Sequence, residues 1–569
     1  MDPITQQLLL GAAGATGEDK VYVDDVFSTS VYTGNDSVQR IRNGIALGDE
    51  VAIPIGTSLG GGFFAGFISH TADGAPTHAL IVAPAASGYN GKSTLKCKTV
   101  ASATDGTASL YDGAANSASM NNSTHPAAQY CEALSIGGYT DWYLPAQYEL
   151  DIAYQNFKPS TTTNSTTSGI NYYSVPERTA ERVLKTPLQT SVTTFKSGAT
   201  EAFEADTHWT STQNGANGAQ GFICNFYAGD ILPIGKDNQY YVRAFRKVAI
   251  NDSSLDDYRK TGEGGLVWIK NRDRTFDHQL IDSERSTFAR ISSNTANAQE
   301  NANSIDIKSF NSDGFTMVKT TGYTNLIDEK HVSWTFRKAP GFFDVVTWTG
   351  NDTPRTIAHN LGTVPGMIMV KRTNSVNDWA IYHRSLGNTH FLYFNSYASG
   401  TYAGGWNNTT PTSTHFTVGD GAMVNSGSDT FVAYVFAHDA AQFGTAGDES
   451  IIKCGSYTAT GSLQEIDLGF EPQWVMIKNS SRSSNSSTNW VIFDSMRGMY
   501  SDQDAPYLYP NLNSTAGAGK VGVSATGLVI DEATVPIGTS GDTYIYMAIR
   551  RPNKPPQSGT EVFAIDNQA

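Results

Sequence analysis

The sequence is poor in charge and has no concentrated basic segment. Charged residues make up 16% of its 569 residues, and the formal net charge is −15. Binding to nucleic acid requires clustered Lys and Arg against the phosphates, and a negative chain disfavours it. The densest basic spot is Arg550-Arg551, which a strand end next to solvent explains. We therefore expect no nucleic-acid partner.

The sequence also lacks long apolar runs. None reaches the roughly 20 residues that a membrane-spanning helix needs. Leu8-Leu9-Leu10 follow Asp2 and no basic segment, so we expect neither a cleaved signal peptide nor membrane insertion. The protein is therefore expected to be made in the cytoplasm.

Cysteine is rare and its spacing carries no motif. The four cysteines contain no CxxC pair: Cys97, Cys131, Cys224 and Cys454. Buried free thiols are favoured over a disulfide framework or a metal site. HExxH and Gly-rich phosphate-loop motifs are also missing. The sequence thus gives no reason to expect a metal ion or a cofactor.

The residues that are present favour β-structure. Hydrophobic residues make up 39% of the chain and aromatic residues 11%, enough for packed cores. Much of the rest is Gly, Ser, Thr and Asn, which form turns between short strands. A chain of this length exceeds one hydrophobic core, so about three to five domains are expected. We predict a mainly β protein built from sandwich domains of the jelly-roll type.

Internal repeats give the organisation of the chain. Three strands end in Lys and lie roughly 100 residues apart; they are Leu266–Lys270, Met367–Lys371 and Trp474–Lys478. Each is followed by a second strand, at 277–282, 378–383 and 489–494, and then by a basic residue, Arg285, Arg384 or Arg497. A short strand and an alternating aromatic strand complete each repeat, the latter at 332–336, 431–436 and 543–548. This pattern predicts three antiparallel β-sandwich repeats.

The first repeat is interrupted. A shared opening stands at Tyr32–Asp36, Trp348–Asp352 and Tyr457–Gly461, each followed by a Leu-Gly pair. That pair lies nine residues before Lys371 and Lys478, whereas Leu47-Gly48 lies more than 200 residues before Lys270. We therefore predict an inserted domain. The predicted divisions are an N-terminal segment 1–26, a first repeat 27–49 plus 262–340, an insert 50–261, a second repeat 341–445, a third repeat 446–552 and a tail 553–569.

The insert carries a different set of motifs. Helices are predicted from Pro126 to Leu134 and from Gln147 to Phe157, among the segments GGG (60–62), HALIVAP (78–84), DWYLP (141–145), WTST (209–212) and YYVRAFR (240–246). In this order they resemble the C-terminal domain of bacterial collagen-like adhesins, a family similar to C-type lectins and the formylglycine-generating enzyme. The resemblance implies an α+β fold whose loops bind glycans or proteins. An EPN or QPD calcium triplet and paired catalytic cysteines are absent, so neither calcium-dependent sugar binding nor the oxidase chemistry is expected.

The repeats, with the segments Met1–Gly14 and Ala548–Phe563, resemble tail-fibre or tail-associated proteins of marine tailed phages. The resemblance implies a virion structural role, an N-terminus anchored on other tail proteins, and a homotrimer. Ile4, Leu8 and Leu9 have helical spacing, and Gly11 and Gly14 follow. We predict a short N-terminal helix that anchors the chain through these three residues.

Candidate catalytic groups have simpler interpretations. Five histidines fall near repeat positions, namely His278, His331, His359, His383 and His438. They differ between copies, since His383 corresponds to Asp282 and Asp494, and we interpret them as polar strand-edge residues. Glu149 and Asp151 could serve a glycosidase only as a flanking pair, and we assign them structural roles in the predicted helix. We therefore predict no enzymatic activity.

A recognition face is predicted near the end of the insert. Turn and strand-edge residues gather there: Asn225, Tyr227, Asp230, Asp237 and Asn238. Tyr and Asn provide contact area and adaptable hydrogen bonds at low entropic cost. The sequence thus favours a tail-fibre subunit on the virion tail that recognises a host surface glycan or protein. A capsid-decorating or head-fibre protein, a tailspike polysaccharide depolymerase and a bacterial surface adhesin are the alternatives.

Overall fold

The structure is a computed structural model that describes most of the chain. The described residues are 22–35, 39–72, 74–90, 94–260, 262–301, 307–317, 323–395, 399–401, 403–482, 488–499, 504–530 and 537–554. The predicted N-terminal helix, with Ile4, Leu8 and Leu9, lies outside them, as does most of the C-terminal tail. Within the described residues, no helix combines the length and apolarity needed to span a membrane.

The chain forms two compact units. One, which we call the insert, runs from Val51 to Arg259; the other, which we call the body, contains the described residues up to Glu50 and from Lys260 onward. The chain passes between the two units at the short strands Glu50–Val51 and Arg259–Lys260.

The body contains three repeats with the same main sheet. Each main sheet contains four antiparallel strands, which we name the opening, closing, Lys and partner strands, and they are neighbours in that order. The opening strands are Phe27–Thr33, Phe343–Thr349 and Ile452–Thr458, and the closing strands are Lys330–Arg337, Thr430–Phe436 and Thr543–Arg550. The Lys strands are Gly265–Asn271, Met367–Arg372 and Pro472–Asn479, and the partner strands are Gln279–Asp282, Ala380–His383 and Trp490–Asp494. The predicted mainly β, sandwich-type fold is confirmed.

Further strands extend each main sheet or pair beside it. The main sheets continue through Ala289–Ile291 and Glu300–Asn301, through His390–Tyr393 and Ser399–Thr401, and through Asp504–Leu508 and Gly517–Val523. A second strand pair recurs in every repeat: Gln39–Arg42 with Gly314–Met317, Arg355–Ala358 with His415–Val418, and Gln464–Asp467 with Gly527–Ile530. Ile307–Asn311 also pairs with Gly314–Met317. Three short helices complete the described body, at Val23–Asp25, Ala403–Trp406 and Ser495–Arg497.

The Lys strands are buried on both faces. In the first repeat Val267 and Ile269 pack with Ile41 and Phe315 of the second strand pair. Leu266 and Trp268 point to the opposite side, because side chains alternate along a strand, and they join a core to which all three repeats contribute. This double burial explains why the strands are continuous apolar runs, since a strand covered on both faces needs no polar alternation.

The insert is an α+β unit around its own cores. Its helices are Ala85–Gly88, Gly113–Ala118, Pro126–Glu132 and Gln147–Phe157, with short 3-10 turns at Thr193–Phe195 and Ser253–Tyr258. One sheet contains Ser58–Leu59, Gly62–Ile68, His78–Val82, Ser174–Val175 and Phe245–Ala249; a second contains Thr207–Gln213, Gln220–Asn225 and Ile231–Gly235; Leu95–Lys96 pairs with Gln239–Tyr240. The helix predicted at Gln147–Phe157 has the predicted bounds, and the other ends two residues before Leu134.

Candidate functional site

The three repeats of the body hydrogen-bond to one another in a ring. At the start of each partner strand, one side chain reaches a backbone carbonyl of another repeat. The bonds are His278 Nε2 to Tyr509 O (3.1 Å), Trp379 Nε1 to Ser292 O (3.1 Å) and Trp490 Nε1 to Tyr393 O (2.9 Å). The first repeat thus contacts the third, the second contacts the first, and the third contacts the second. The body is therefore a closed, pseudo-threefold arrangement within one chain.

The histidine in this ring is held neutral. Trp268 Nε1 donates to His278 Nδ1 at 3.0 Å, so Nδ1 accepts and Nε2 carries the proton donated to Tyr509 O. Burial holds the pKa of His278 well below its usual range. A second proton would remove the acceptor that Trp268 uses.

An asparagine fixes each of these positions. Its Oδ1 accepts the backbone N–H of the ring residue, and its Nδ2 donates to the side chain just before that residue. In the first repeat Asn294 bonds to His278 N at 2.9 Å and to Asp277 at 2.6 Å. In the second, Asn395 bonds to Trp379 N at 2.9 Å and to Asp378 at 2.7 Å. In the third, Asn511 bonds to Trp490 N at 3.0 Å and to Asn489 at 2.6 Å. These asparagines were not predicted, although each lies three residues after an aligned apolar residue (Ile291, Leu392, Leu508).

A second ring lies at the end of the partner strands. Tyr434 OH donates to Asp282 Oδ2 at 2.8 Å, and Trp334 Nε1 donates to Asp494 Oδ2 at 3.0 Å. The third equivalent is His383, whose Nε2 bonds to the backbone oxygen of Tyr546 at 3.1 Å. In the closing strand of the third repeat, Met547 occupies the position of Trp334 and Tyr434. Met has no donor for a carboxylate, which accounts for a His in place of the Asp at residue 383.

The charged residues of the second ring each have a counter-ion, and the neutral one has none. Asp282 and Asp494 each form an ion pair with an arginine three residues later, Arg285 or Arg497, both at 2.6 Å. In the second repeat the equivalent of these arginines is Leu386, whereas Arg384 is exposed. Burial lowers the pKa of His383 to about 4, so this neutral position needs no counter-ion.

The three strand-ending lysines are fully buried. Lys270 Nζ donates to Asn271 O at 2.6 Å, Lys371 Nζ donates to Asn377 O at 2.6 Å, and Lys478 Nζ donates to Thr488 O. Burial lowers the pKa of Lys270 and Lys371 to about 8. The pKa of Lys478 falls further, to about 7, where Asn489 replaces the acidic residue of the other repeats. These lysines stabilise the loop before each partner strand.

Four of the five histidines predicted to be strand-edge residues are buried. His278, His331, His359 and His383 are buried, and His438 is half-buried. The edge interpretation is therefore wrong for the buried four. His278 and His383 bond to other repeats, whereas His331 and His359 are buried against residues of their own repeat. Among the described residues, no three His, Cys, Asp or Glu side chains form a group that could hold a metal ion. All four cysteines are buried and unpaired, and burial raises the pKa of each thiol.

The two insert carboxylates, Glu149 and Asp151, are also buried. Glu149 accepts from Ala146 N at 2.8 Å and from Tyr143 OH at 2.8 Å. Burial raises the pKa of Glu149 to about 7. Asp151 forms ion pairs with Arg178 and Arg182. Neither carboxylate reaches the surface, so neither is available to a polysaccharide there.

The five predicted recognition residues fall into two separate turns. Asn225 ends strand Gln220–Asn225, and Tyr227 and Asp230 lie in the turn that leads from it to strand Ile231–Gly235. Asp237 and Asn238 lie in the turn after that second strand. A strand of five residues separates the two turns by about 16 Å. Asn225 Oδ1 accepts from Tyr227 N at 2.9 Å, and Asn238 Nδ2 donates to Gly235 O at 2.9 Å, so both asparagines shape their turns.

Exposed apolar side chains lie on the two segments that meet at the first of these turns. Loop 164–188 is joined to it by Ser165 N to Ala228 O at 2.8 Å and by Arg182 Nη1 to Gly229 O at 2.7 Å. The exposed fractions are large on both segments: Tyr227 54%, Leu232 52%, Val183 59%, Leu184 58% and Leu188 75%. We call these five residues the Tyr227 surface. Of these five residues only Tyr227 was predicted; Val183, Leu184 and Leu188 are distant from it in sequence.

Comparisons with known proteins identify one family. No curated protein matches the chain. A solved structure titled "Crystal Structure of the STIV MCP" is 9% identical to this chain, with a TM-score of 0.11. The match covers 37% of this chain and 95% of the chain in that structure. That TM-score is typical of unrelated folds. The family described as "Domain of unknown function (DUF7483)" matches residues 260–552, just over half of the sequence, and this match spans the Lys, partner and closing strands of all three repeats. The chain belongs to the DUF7483 family.

Proposed function

We propose that this protein is a virion structural and binding protein, a tail-fibre subunit whose insert recognises the host surface. In this proposal the N-terminus anchors on other tail proteins, and three chains associate. Weak single sites then act together, since multivalent attachment multiplies affinity without new contacts.

The observation that carries the proposal is the Tyr227 surface. Tyr227, Leu184 and Leu232 each expose more than half of their side chains. Neighbouring exposed apolar residues on a soluble domain mark interaction sites, and Tyr is favoured where one end of a contact is wet. The surface is held by the buried ion pairs of Asp151 with Arg178 and Arg182, so little order is lost on binding.

The body supports a scaffold role. Its titratable groups at the two rings are satisfied by neighbouring repeats, as at Asp282, His383 and Asp494. Such groups stabilise the arrangement and are not free to bind or transform a substrate. A depolymerase is therefore the less favoured alternative, and a capsid or head-fibre position is the other.

Labelling of virions tests the location. An antibody against residues 50–260 should bind the tail in negative-stain images. Label on the head would favour the capsid-decorating alternative instead.

Incubation with host capsule or lipopolysaccharide tests the absence of enzymatic activity. The polysaccharide should keep its chain length. Release of oligosaccharides by purified protein would favour the tailspike depolymerase.

A further inference from the structure

Arg497, just after the partner strand of the third repeat, has more hydrogen-bond donors than partners. Its Nε donates to Asp494 Oδ2 at 2.6 Å, and its Nη2 donates to Ile492 O at 3.0 Å. Its Nη1 is buried and has no hydrogen-bond partner, although the residue is only 7% exposed. Burying a donor without an acceptor costs roughly 1–3 kcal/mol, and more when the group is charged. Nη1 therefore remains available to an added acceptor.

The equivalent arginine of the first repeat, Arg285, is fully bonded. Its Nη1 donates to Gln299 Oε1 at 3.0 Å, and its Nη2 donates to Tyr434 OH at 3.1 Å. The guanidinium of Arg497 instead lies over the Trp334 ring, 5.5 Å from its centroid. An indole has no oxygen that could accept a hydrogen bond. The unused donor thus distinguishes the junction between the third and first repeats from the junction between the first and second.

A second guanidinium with an unused donor, that of Arg272, lies at this junction. Arg272 follows the Lys strand of the first repeat, and its N donates to Lys330 O at 2.8 Å. In the second repeat Thr373 N donates to Thr430 O at 2.8 Å in the same way, so Arg272 takes the place of a threonine. The Nε of Arg272 is buried without a partner. Among the residues that the structure describes, none forms an ion pair or hydrogen bond with the Arg272 side chain.

Arg272 and Arg497 lie close to each other. Side chains alternate along a strand, so Arg272 shares the sheet face of Trp268 and of its cross-strand neighbour Trp334, over which Arg497 lies. Burial lowers the pKa of Arg272, and the positive charge of Arg497 lowers it further, against the opposing effect of Asp494. The two guanidinium groups therefore repel each other while each keeps an unused donor.

The other charges at this junction leave it positive. Lys330 lies opposite Arg272 across the two strands, where like charges are unfavourable, and it replaces Thr430 of the second repeat. One acid is added, since Asp273 stands where the second repeat has Asn374, and it accepts from Lys330 N at 2.8 Å. Two added bases against one added acid favour an anionic ligand.

We propose that the junction between the first and third repeats binds a tetrahedral oxyanion of the phosphate or sulfate type between Arg497 Nη1 and the guanidinium of Arg272. Guanidinium N–H groups match the oxygens of such an anion, and the bonds are charge-assisted. Arg272 is half-buried, so the site is open to solvent on its side. The anion joins the two repeats beside the bond from Trp334 to Asp494. The site lies within the body, so its failure would leave the proposed role of the insert intact.

Binding of inorganic phosphate and sulfate to the full chain tests the proposal. Calorimetry measures the affinity, and thermal unfolding is compared with chloride at equal ionic strength, because screening alone alters a charged junction. Phosphate or sulfate should bind and raise the unfolding temperature, since a ligand of the folded state stabilises it. Glycerol phosphate distinguishes the source of the anion. Weaker binding than inorganic phosphate assigns the site to a free anion, and equal binding assigns it to the phosphate group of a larger molecule.

R272T is the decisive variant, because Thr373 shows that the fold accepts threonine at this position. It should weaken phosphate binding by about tenfold or more through the loss of charge-assisted bonds. Without phosphate it should be at least as stable as the wild type, because a repelled charge is removed. R272K keeps the charge without the planar fork and should bind with intermediate affinity. The matched control is R384Q, which changes an exposed arginine of the second repeat and should bind like the wild type.

Three results would overturn the proposal. The first is that neither phosphate nor sulfate binds at millimolar concentration or stabilises the chain beyond chloride. The second is that R272T and R272K both retain wild-type affinity. The third is a crystal structure grown in phosphate in which only water lies between Arg272 and Arg497.

Discussion

The indole Nε1 of Trp334, in the first repeat, donates a 3.0 Å hydrogen bond to Oδ2 of Asp494, in the third. Both side chains are fully buried, and the same oxygen accepts from Arg497 Nε at 2.6 Å. This one carboxylate therefore joins two repeats whose contacting residues are 160 positions apart. The equivalent bonds at Asp282 and His383 complete the ring.

Replacing Asp494 by Asn should destabilise the body strongly. Arg497 would remain buried without its counter-ion, and breaking a buried pair in this way costs about 3–5 kcal/mol. Urea unfolding followed by tryptophan fluorescence measures the loss. D504N, at an exposed position of the same repeat, is the control and should change the free energy of unfolding by less than about 0.5 kcal/mol. A D494N loss as small as that of D504N would mean that the ion pair is not needed.

The ring residue His383 should make the body sensitive to acid. Burial lowers the pKa of His383 to about 4 in the folded state, whereas an unfolded His titrates near 6.5. Between these pH values the unfolded chain binds the additional proton, so stability falls as the pH drops from about 6.5 to 4. H383Q should remove on the order of 3 kcal/mol of this pH dependence. Unfolding curves at pH 7, 5.5 and 4.5 test it, and parallel pH profiles for H383Q and wild type would contradict it.

The buried Lys478 should make the stability of the body depend on pH between about 7 and 10. Burial lowers the pKa of Lys478 to about 7, so folding releases a proton between pH 7 and the unfolded pKa of about 10.4. The contribution of Lys478 to stability is smallest below pH 7 and rises with pH across this window. The stability difference between wild type and K478M should therefore move in favour of wild type from pH 7 to 10. Comparing the two variants cancels the other groups that titrate there, and a constant difference would show that Lys478 titrates normally.

The sequence predicted the strands of the repeats more completely than their arrangement. Three Lys strands could be aligned because each is a continuous apolar run before a Lys, and all three form as predicted. Closure into a ring could not be predicted, because the ring residues differ chemically. Asp282, His383 and Asp494 share a position, but the two aspartates accept from a side chain of another repeat, whereas His383 donates to a backbone carbonyl of another repeat.

In the insert, too, structure that depends on residues adjacent in sequence was predicted, and structure that depends on distant residues was not. Helix Gln147–Phe157 follows from residues that are adjacent in sequence, and Glu149 at its third position accepts from Ala146 N. The Tyr227 surface depends on a loop that begins more than 50 residues earlier. Nothing near Leu184 in the sequence indicates that its loop is hydrogen-bonded to the turn that carries Tyr227.

Binding of the purified chain to host cells and to a glycan panel is the most direct test of the central claim, that the insert recognises the host while the body carries it. The whole chain should bind, and Y227A/L232S should reduce binding at least tenfold without unfolding the insert. A chain in which a short Gly-Ser linker replaces residues 51–259 should keep the folded body and lose cell binding. If that shortened chain bound host cells as well as the whole chain does, recognition would lie outside the insert and the account would be wrong.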